Sequence, residues 1–182
     1  MQNYNNEKFV LKSVTTLPYY INYILGFIIA VPLFFIYSEI GFRYFGTFGL
    51  IFTFFVFGII MLLLIKFFMT KTIVVYFDQL FFYIEEKKKE LKKYKKTDIS
   101  GFYSYDYERV EKSFISIQIK LSNGKNINLT DTSTSQTIDK EKAKLLRRFL
   151  ITAKKELNFS FVNRNSLKSI QRLGACWYSN VK

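Results

Sequence analysis

Histidine is absent from the 182 residues, and cysteine occurs once, at Cys176. The commonest general base and the commonest metal ligand are therefore missing, and no Ser–His–Asp set can be assembled. A single thiol forms no intrachain disulfide and no multi-cysteine zinc site. Apolar and aromatic residues surround Cys176 in sequence and no histidine exists to activate it, so it reads as a packed thiol. No phosphate-binding GxxxxGK[ST], no GxGxxG and no GxSxG occurs. A serine activated by lysine would need no histidine, but no spacing points to one. The sequence assigns no catalytic residue, no cofactor-binding residue, no cofactor and no metal ligand, and the chain is expected to be non-enzymatic.

What remains is charge and aromatic surface. Lys87, Lys88, Lys89, Lys92, Lys93, Lys95 and Lys96 crowd one short stretch, partly offset by Glu85, Glu86 and Glu90. Held within a Debye length of an anionic leaflet, each lysine contributes about 1 kcal/mol. On an edge strand the same lysines would guard against aggregation instead. Both readings stand. Tyr103, Tyr105 and Tyr107 alternate, which is expected to put three rings on one face. That face is either a partner surface, since tyrosine gives large contact area at small entropic cost, or a wall of the fold.

Two uncharged runs must hold these residues at a membrane. Tyr19 to Ser38 and Phe48 to Ile65 each carry no charged side chain. At about 1.5 Å per residue each reaches across a hydrocarbon core of roughly 30 Å. The first lacks the flanks of a cleaved signal. Pro32 inside it is tolerable in a spanning helix and predicts a kink. The link from Glu39 to Thr47 carries Arg43 against Glu39, whereas Lys8, Lys12, Lys66 and Lys71 lie on the outer flanks. That bias predicts both termini in the cytoplasm, with Tyr19, Tyr20 and Tyr23 at one interface and Tyr37 and Tyr44 at the other. Neither span holds a buried ionisable residue, which argues against a proton or ion pathway, so the hairpin reads as an anchor.

Net charge is +13, and Lys71 onward carries 23 Lys and Arg against 12 Asp and Glu, so +11 of it follows the second run. A basic domain beside a bilayer suits anionic headgroups or an acidic partner. No groove-reading motif supports specific nucleic-acid binding. Self-association of the spans stays open.

After Thr70 the pattern changes to period two. Strands are expected over Thr72 to Phe77 and Leu80 to Glu85 around an Asp78-Gln79 turn, over a lysine-rich edge, over Phe102 to Arg109, and over Phe114 to Leu121. Asn123-Gly124 then predicts a hairpin into Asn126 to Thr130. Leu146, Phe149, Leu150, Ala153 and Leu157 recur at helical spacing in a helix from Ile138 to Leu157. The expected division is a leader at 1–18, a transmembrane hairpin at 19–69, a soluble domain at 70–157 and a tail at 158–182, with a short helix from Asn165 or Ser166 to Leu173. The fold class is an α+β membrane protein.

Thr72-Ile73-Val74-Val75-Tyr76-Phe77-Asp78-Gln79-Leu80, then Lys96-Thr97-Asp98-Ile99, then Ile115 to Leu129 with its Asn-Gly turn and closing helix, give the chain a family likeness. Joined to two spans, this order resembles the bacterial pleckstrin-homology-like domains of small membrane proteins, the YcxB-like group among them. The resemblance covers roughly residues 10 to 157. It implies an antiparallel half-open barrel or curved sheet closed by the C-terminal amphipathic helix, and a binding or scaffolding module at the cytoplasmic face of the inner membrane. A second expectation, from a different class, is an immunity protein that neutralises a cognate toxin at the membrane.

Overall fold

The computed structural model describes residues 7–16, 19–64, 70–86, 91–131, 137–164 and 176–180. The chain divides into two compact units: Leu17–Thr70, and the remainder formed by Met1–Thr16 with Lys71–Lys182. The architecture is α+β, with one apolar helical element near the N-terminus and one antiparallel sheet.

The larger unit contains β1 (Phe9–Thr15), β2 (Lys71–Phe77), β3 (Phe81–Glu86), β4 (Lys92–Lys95), β5 (Ile99–Ser104), β6 (Ser116–Leu121), β7 (Asn126–Asp131), α2 (Lys140–Leu157), β8 (Ser160–Arg164) and β9 (Cys176–Ser179). The strands form a single sheet in the order β4-β3-β2-β1-β7-β6-β5-β9-β8. This corrects the expected barrel. The sheet is open, because its outermost strands β4 and β8 each pair on one side only among the described residues.

Three strands were not anticipated. β1 falls within the expected leader, yet Phe9, Leu11 and Val14 are buried and belong to the core. Its pairing shifts between Leu11 and Val14, and Ser13 has φ 58°. This bulge lets β1 pair with β2 through Phe9, Val10 and Leu11, then with β7 through Val14 and Thr15. β8 and β9 fall in the expected tail, and Phe159, Cys176 and Tyr178 are buried in the same core. The expected short helix at 165–173 lies outside the described residues.

Core residues come from alternate positions, as a sheet with one covered face requires. Ile73, Val75, Phe77, Phe82, Ile84, Phe102, Ile117, Ile119 and Leu129 point inward and meet Leu146, Phe149, Leu150 and Ala153 of α2. Phe149 meets Phe9 edge-on at 5.4 Å and Phe77 at 6.3 Å. Asp139 caps α2 by accepting from Lys142 N–H at 3.1 Å, and left-handed Asn158 ends it. Asp131 is buried at the inner side of β7 and is ion-paired with Lys142.

The smaller unit is the apolar element α1 (Tyr19–Leu64), interrupted at Gly46, where φ 56° and ψ −141° leave the helical region. A straight helix would separate Phe34 from Phe54 by about 30 Å. Their ring centroids are 6.3 Å apart and those of Phe34 and Phe57 are 5.9 Å apart, so the two halves of α1 lie against each other. Gly41 and Gly49 allow it: a Cβ on Gly49 would come 2.0 Å from Gly41 O. Thr53 Oγ1 donates to Gly49 O at 2.7 Å beside this contact. Gly26–Gly49 is long and apolar enough to cross a membrane, and 11% of it is buried. Tyr19, Tyr20 and Tyr23, expected at an interface, lie outside the described side chains.

Candidate functional site

The face of β1–β4 opposite the core gathers half-buried aromatic rings and exposed lysines. Its scaffold is the β2–β3 hairpin. Asp78 Oδ1 accepts from the N–H groups of Leu80 at 2.8 Å and Phe81 at 2.6 Å, closing the turn. Tyr83 Oη donates to Asp78 Oδ2 at 2.7 Å and ties the strand to that turn. With Phe82 and Ile84 committed to the core, Phe81 and Tyr83 must point outward, opposite Lys95 and Lys93 of β4. Tyr76 pairs with Tyr83, and Val10 with Val74, on the same side.

Tyr76 and Tyr83 stack at 4.8 Å and 11°, and Phe81 follows at 6.2 Å. Lys93 Nζ lies 3.7 Å from the centre of the Phe81 ring, and Lys8 Nζ lies 5.1 Å from that of Tyr76. Cations over ring faces are attracted by the ring quadrupole. The hydrogen bond to Asp78 pushes the Tyr83 phenol up to about 12. Partial burial acts to raise the Asp78 carboxyl, but the bonds from Tyr83, Phe81 and Leu80 outweigh it and hold the group below its ordinary value. Partial burial, with Glu85 and Asp78 nearby, raises the Tyr76 phenol.

The seven lysines of the cluster separate. Lys87, Lys88 and Lys89 lie outside the described residues. Lys92 is exposed on edge strand β4, and Lys93 and Lys95 flank the aromatic face. Lys96 turns away and bonds Glu156 of α2 at 2.5 Å.

The three tyrosines do not share one face. β5 ends at Ser104, so alternation stops before Tyr105. Tyr103 lies on the outer side of β5 with its ring 4.6 Å from Trp177, over Gly101, whose missing side chain leaves room for the indole. Lys120 Nζ is 5.6 Å from the Tyr103 ring and 5.7 Å from that of Trp177. Tyr105 is half-buried against Phe114, with Lys112 Nζ 4.2 Å from its ring. Tyr107 is 3% exposed. Its hydroxyl donates to Phe114 O at 2.8 Å and accepts from Ser116 N–H at 3.0 Å, pinning the β5–β6 connection. Burial pushes that phenol well above its ordinary value.

Most carboxylates are matched within the fold. Glu108 meets Lys154 at 2.8 Å, Asp106 meets Arg109 at 3.6 Å and Arg164 at 3.8 Å, Glu7 meets Arg148 at 3.2 Å, and Glu86 meets Lys71. No group of three His, Cys, Asp or Glu residues suited to a metal occurs among the described residues. Cys176 is buried on β9. The cation-edged aromatic face of β1–β4 was missed from sequence, because it needs β1 in the sheet. Its legible trace was the alternation of Val74 and Tyr76 with Phe81 and Tyr83 across the turn. No family model matches the chain, and no curated protein or solved structure does either.

Proposed function

We propose that this chain is a non-enzymatic binding module tethered to the bacterial inner membrane by a two-helix hairpin, with both termini and the sheet domain in the cytoplasm. The observation that carries this reading is the position of α1 between β1 and β2, which are paired neighbours. The chain leaves the sheet after Thr15 and rejoins it at Lys71, the register partner of Val14. A single crossing would strand β1 and β2 on opposite sides of the bilayer, so an α1 that enters the membrane must return. The break at Gly46 and the contact of Phe34 with Phe54 supply that return. Removal of α1 as a signal would detach β1 from the sheet. The rings of Phe27, Phe35, Phe45, Phe48, Phe52 and Phe55 are exposed along α1, as lipid contact requires and a soluble core helix does not permit.

β3 ends and β4 begins at the end of the sheet from which α1 departs, since Glu86 pairs with Ile73 close to Lys71. Lys92, at the start of β4, is the described lysine of the cluster that this reading assigns to anionic headgroups. The seven strands that precede the amphipathic helix α2 support the likeness to pleckstrin-homology-like membrane proteins, whereas the open sheet and the strands β8 and β9 that follow α2 depart from the expected barrel closed by a C-terminal helix.

The test is sidedness. In a Cys176→Ser background, Arg43→Cys should react with a membrane-impermeant maleimide in intact spheroplasts, and Thr16→Cys only after permeabilisation. The protein should also stay in the pellet after alkaline carbonate washing. Release by carbonate, or labelling of both positions from one side, overturns the proposal.

A further inference from the structure

We propose that the open face of β1–β4 docks an acidic segment of a protein partner. This rests on the tethered-module reading and names the class of partner that module takes. The centre of the face is apolar or aromatic at Val10, Val74, Tyr76, Phe81 and Tyr83, and Val10 is 42% exposed. Lys8, Lys93 and Lys95 edge it. An exposed apolar patch with a polar rim marks an interaction surface, because solvated sheet faces otherwise alternate to polar residues. The same side of β6 and β7 is polar, with Ser116, Gln118, Asn128 and Thr130, and those four residues are buried.

Charge complementarity selects the occupant. Two carboxylates approach the face. Asp78 is already bonded by two backbone amides and Tyr83, and Glu85 sits opposite Val74, away from the turn. Lys93 acts on Asp78 from a distance, but none of the three rim lysines forms a salt bridge among the described residues, so an incoming segment supplies further negative charge, with apolar side chains to cover the aromatics. Position favours a protein over the leaflet. The rings cluster towards the β2–β3 turn, and Tyr76 lies five residues along β2 from Lys71, about 17 Å at strand rise. That is the end of the sheet away from Thr15 and Lys71, where the chain leaves and rejoins it.

The experiment uses the full-length chain in uncharged phosphatidylcholine nanodiscs and a fluorescent synthetic peptide alternating Glu with Val and Phe. A second peptide carries Lys in place of each Glu. The native protein should bind the acidic peptide at least about tenfold more tightly than the basic one. Lys93→Glu combined with Lys95→Glu should weaken acidic-peptide binding about tenfold. Lys125→Glu combined with Lys140→Glu, which changes net charge equally on other elements, should leave it within about twofold. Phe81→Ser should weaken it without altering the preference for acidic over basic peptide. Equal binding of both peptides, equal loss from both lysine pairs, or binding transferred to phosphatidylglycerol nanodiscs with no peptide binding overturns the proposal. Carbonate extraction of the same variants reports the tether separately, so the two readings fail independently.

Discussion

Asp78 organises the β2–β3 turn with one oxygen and holds Tyr83 with the other, and both groups titrate accordingly. The folded carboxyl is below its ordinary value, so its contribution is complete above the unfolded pKa near 4 and is lost as pH falls through the folded one. Asp78→Asn should therefore flatten the acid limb of a urea-denaturation pH profile. The Tyr83 phenol is raised to about 12, so its contribution is complete below the unfolded pKa near 10 and fades as pH climbs towards 12. Tyr83→Phe should remove that alkaline decline. Gly101→Ala places a methyl 2.2 Å from the Trp177 ring and 2.7 Å from Tyr178 O. Overpacking of this kind costs about 1–3 kcal/mol, which a thermal melt would register as a lower Tm. Tyr107→Phe orphans a buried N–H and carbonyl at about the same cost. Residue alternation exposed none of this, because Tyr103, Tyr105 and Tyr107 share a period, while what divides them is a strand end and a hydroxyl-bonded loop.

Among the elements, β1 carries the most consequence. Leu11 is 1% exposed between β2 and α2, so Leu11→Ala should cost about 2–5 kcal/mol in denaturant titration, as much as truncating Ile73. A dispensable leader would show no change. The hairpins β2–β3 and β6–β7 were legible because their turns carry Asp78 and Asn123-Gly124, with Gly124 at φ 81°. α2 was legible from its buried stripe, but its start was not: Asp139 caps it, so the helix begins at Lys140 and not at Ile138. β1 was not, because the bulge at Ser13 shifts the inward set from Phe9 and Leu11 to Val14 and breaks the period. β8 and β9 were hidden by brevity and by the eleven positions, 165–175, between them. The lysine-rich stretch was legible in part: Lys92, Lys93 and Lys95 do occupy an edge strand, whereas the diversion of Lys96 to Glu156 depends on a helix sixty residues away.

At the scale of the whole molecule, the sheet-bearing unit is assembled from two separated pieces of chain. That arrangement has a cost in time. β1 leaves the ribosome first, and its partners β2 and β7 begin only at Lys71 and Asn126. At roughly 5–20 residues per second the strand waits several seconds without a mate. Throughout that wait, Phe9, Leu11 and Val14 are an uncovered greasy stub beside a nascent apolar helical segment. Completion of the domain is thus gated by synthesis of the intervening α1, and a chain that stalls within it would present quality-control proteases with an unfinished sheet.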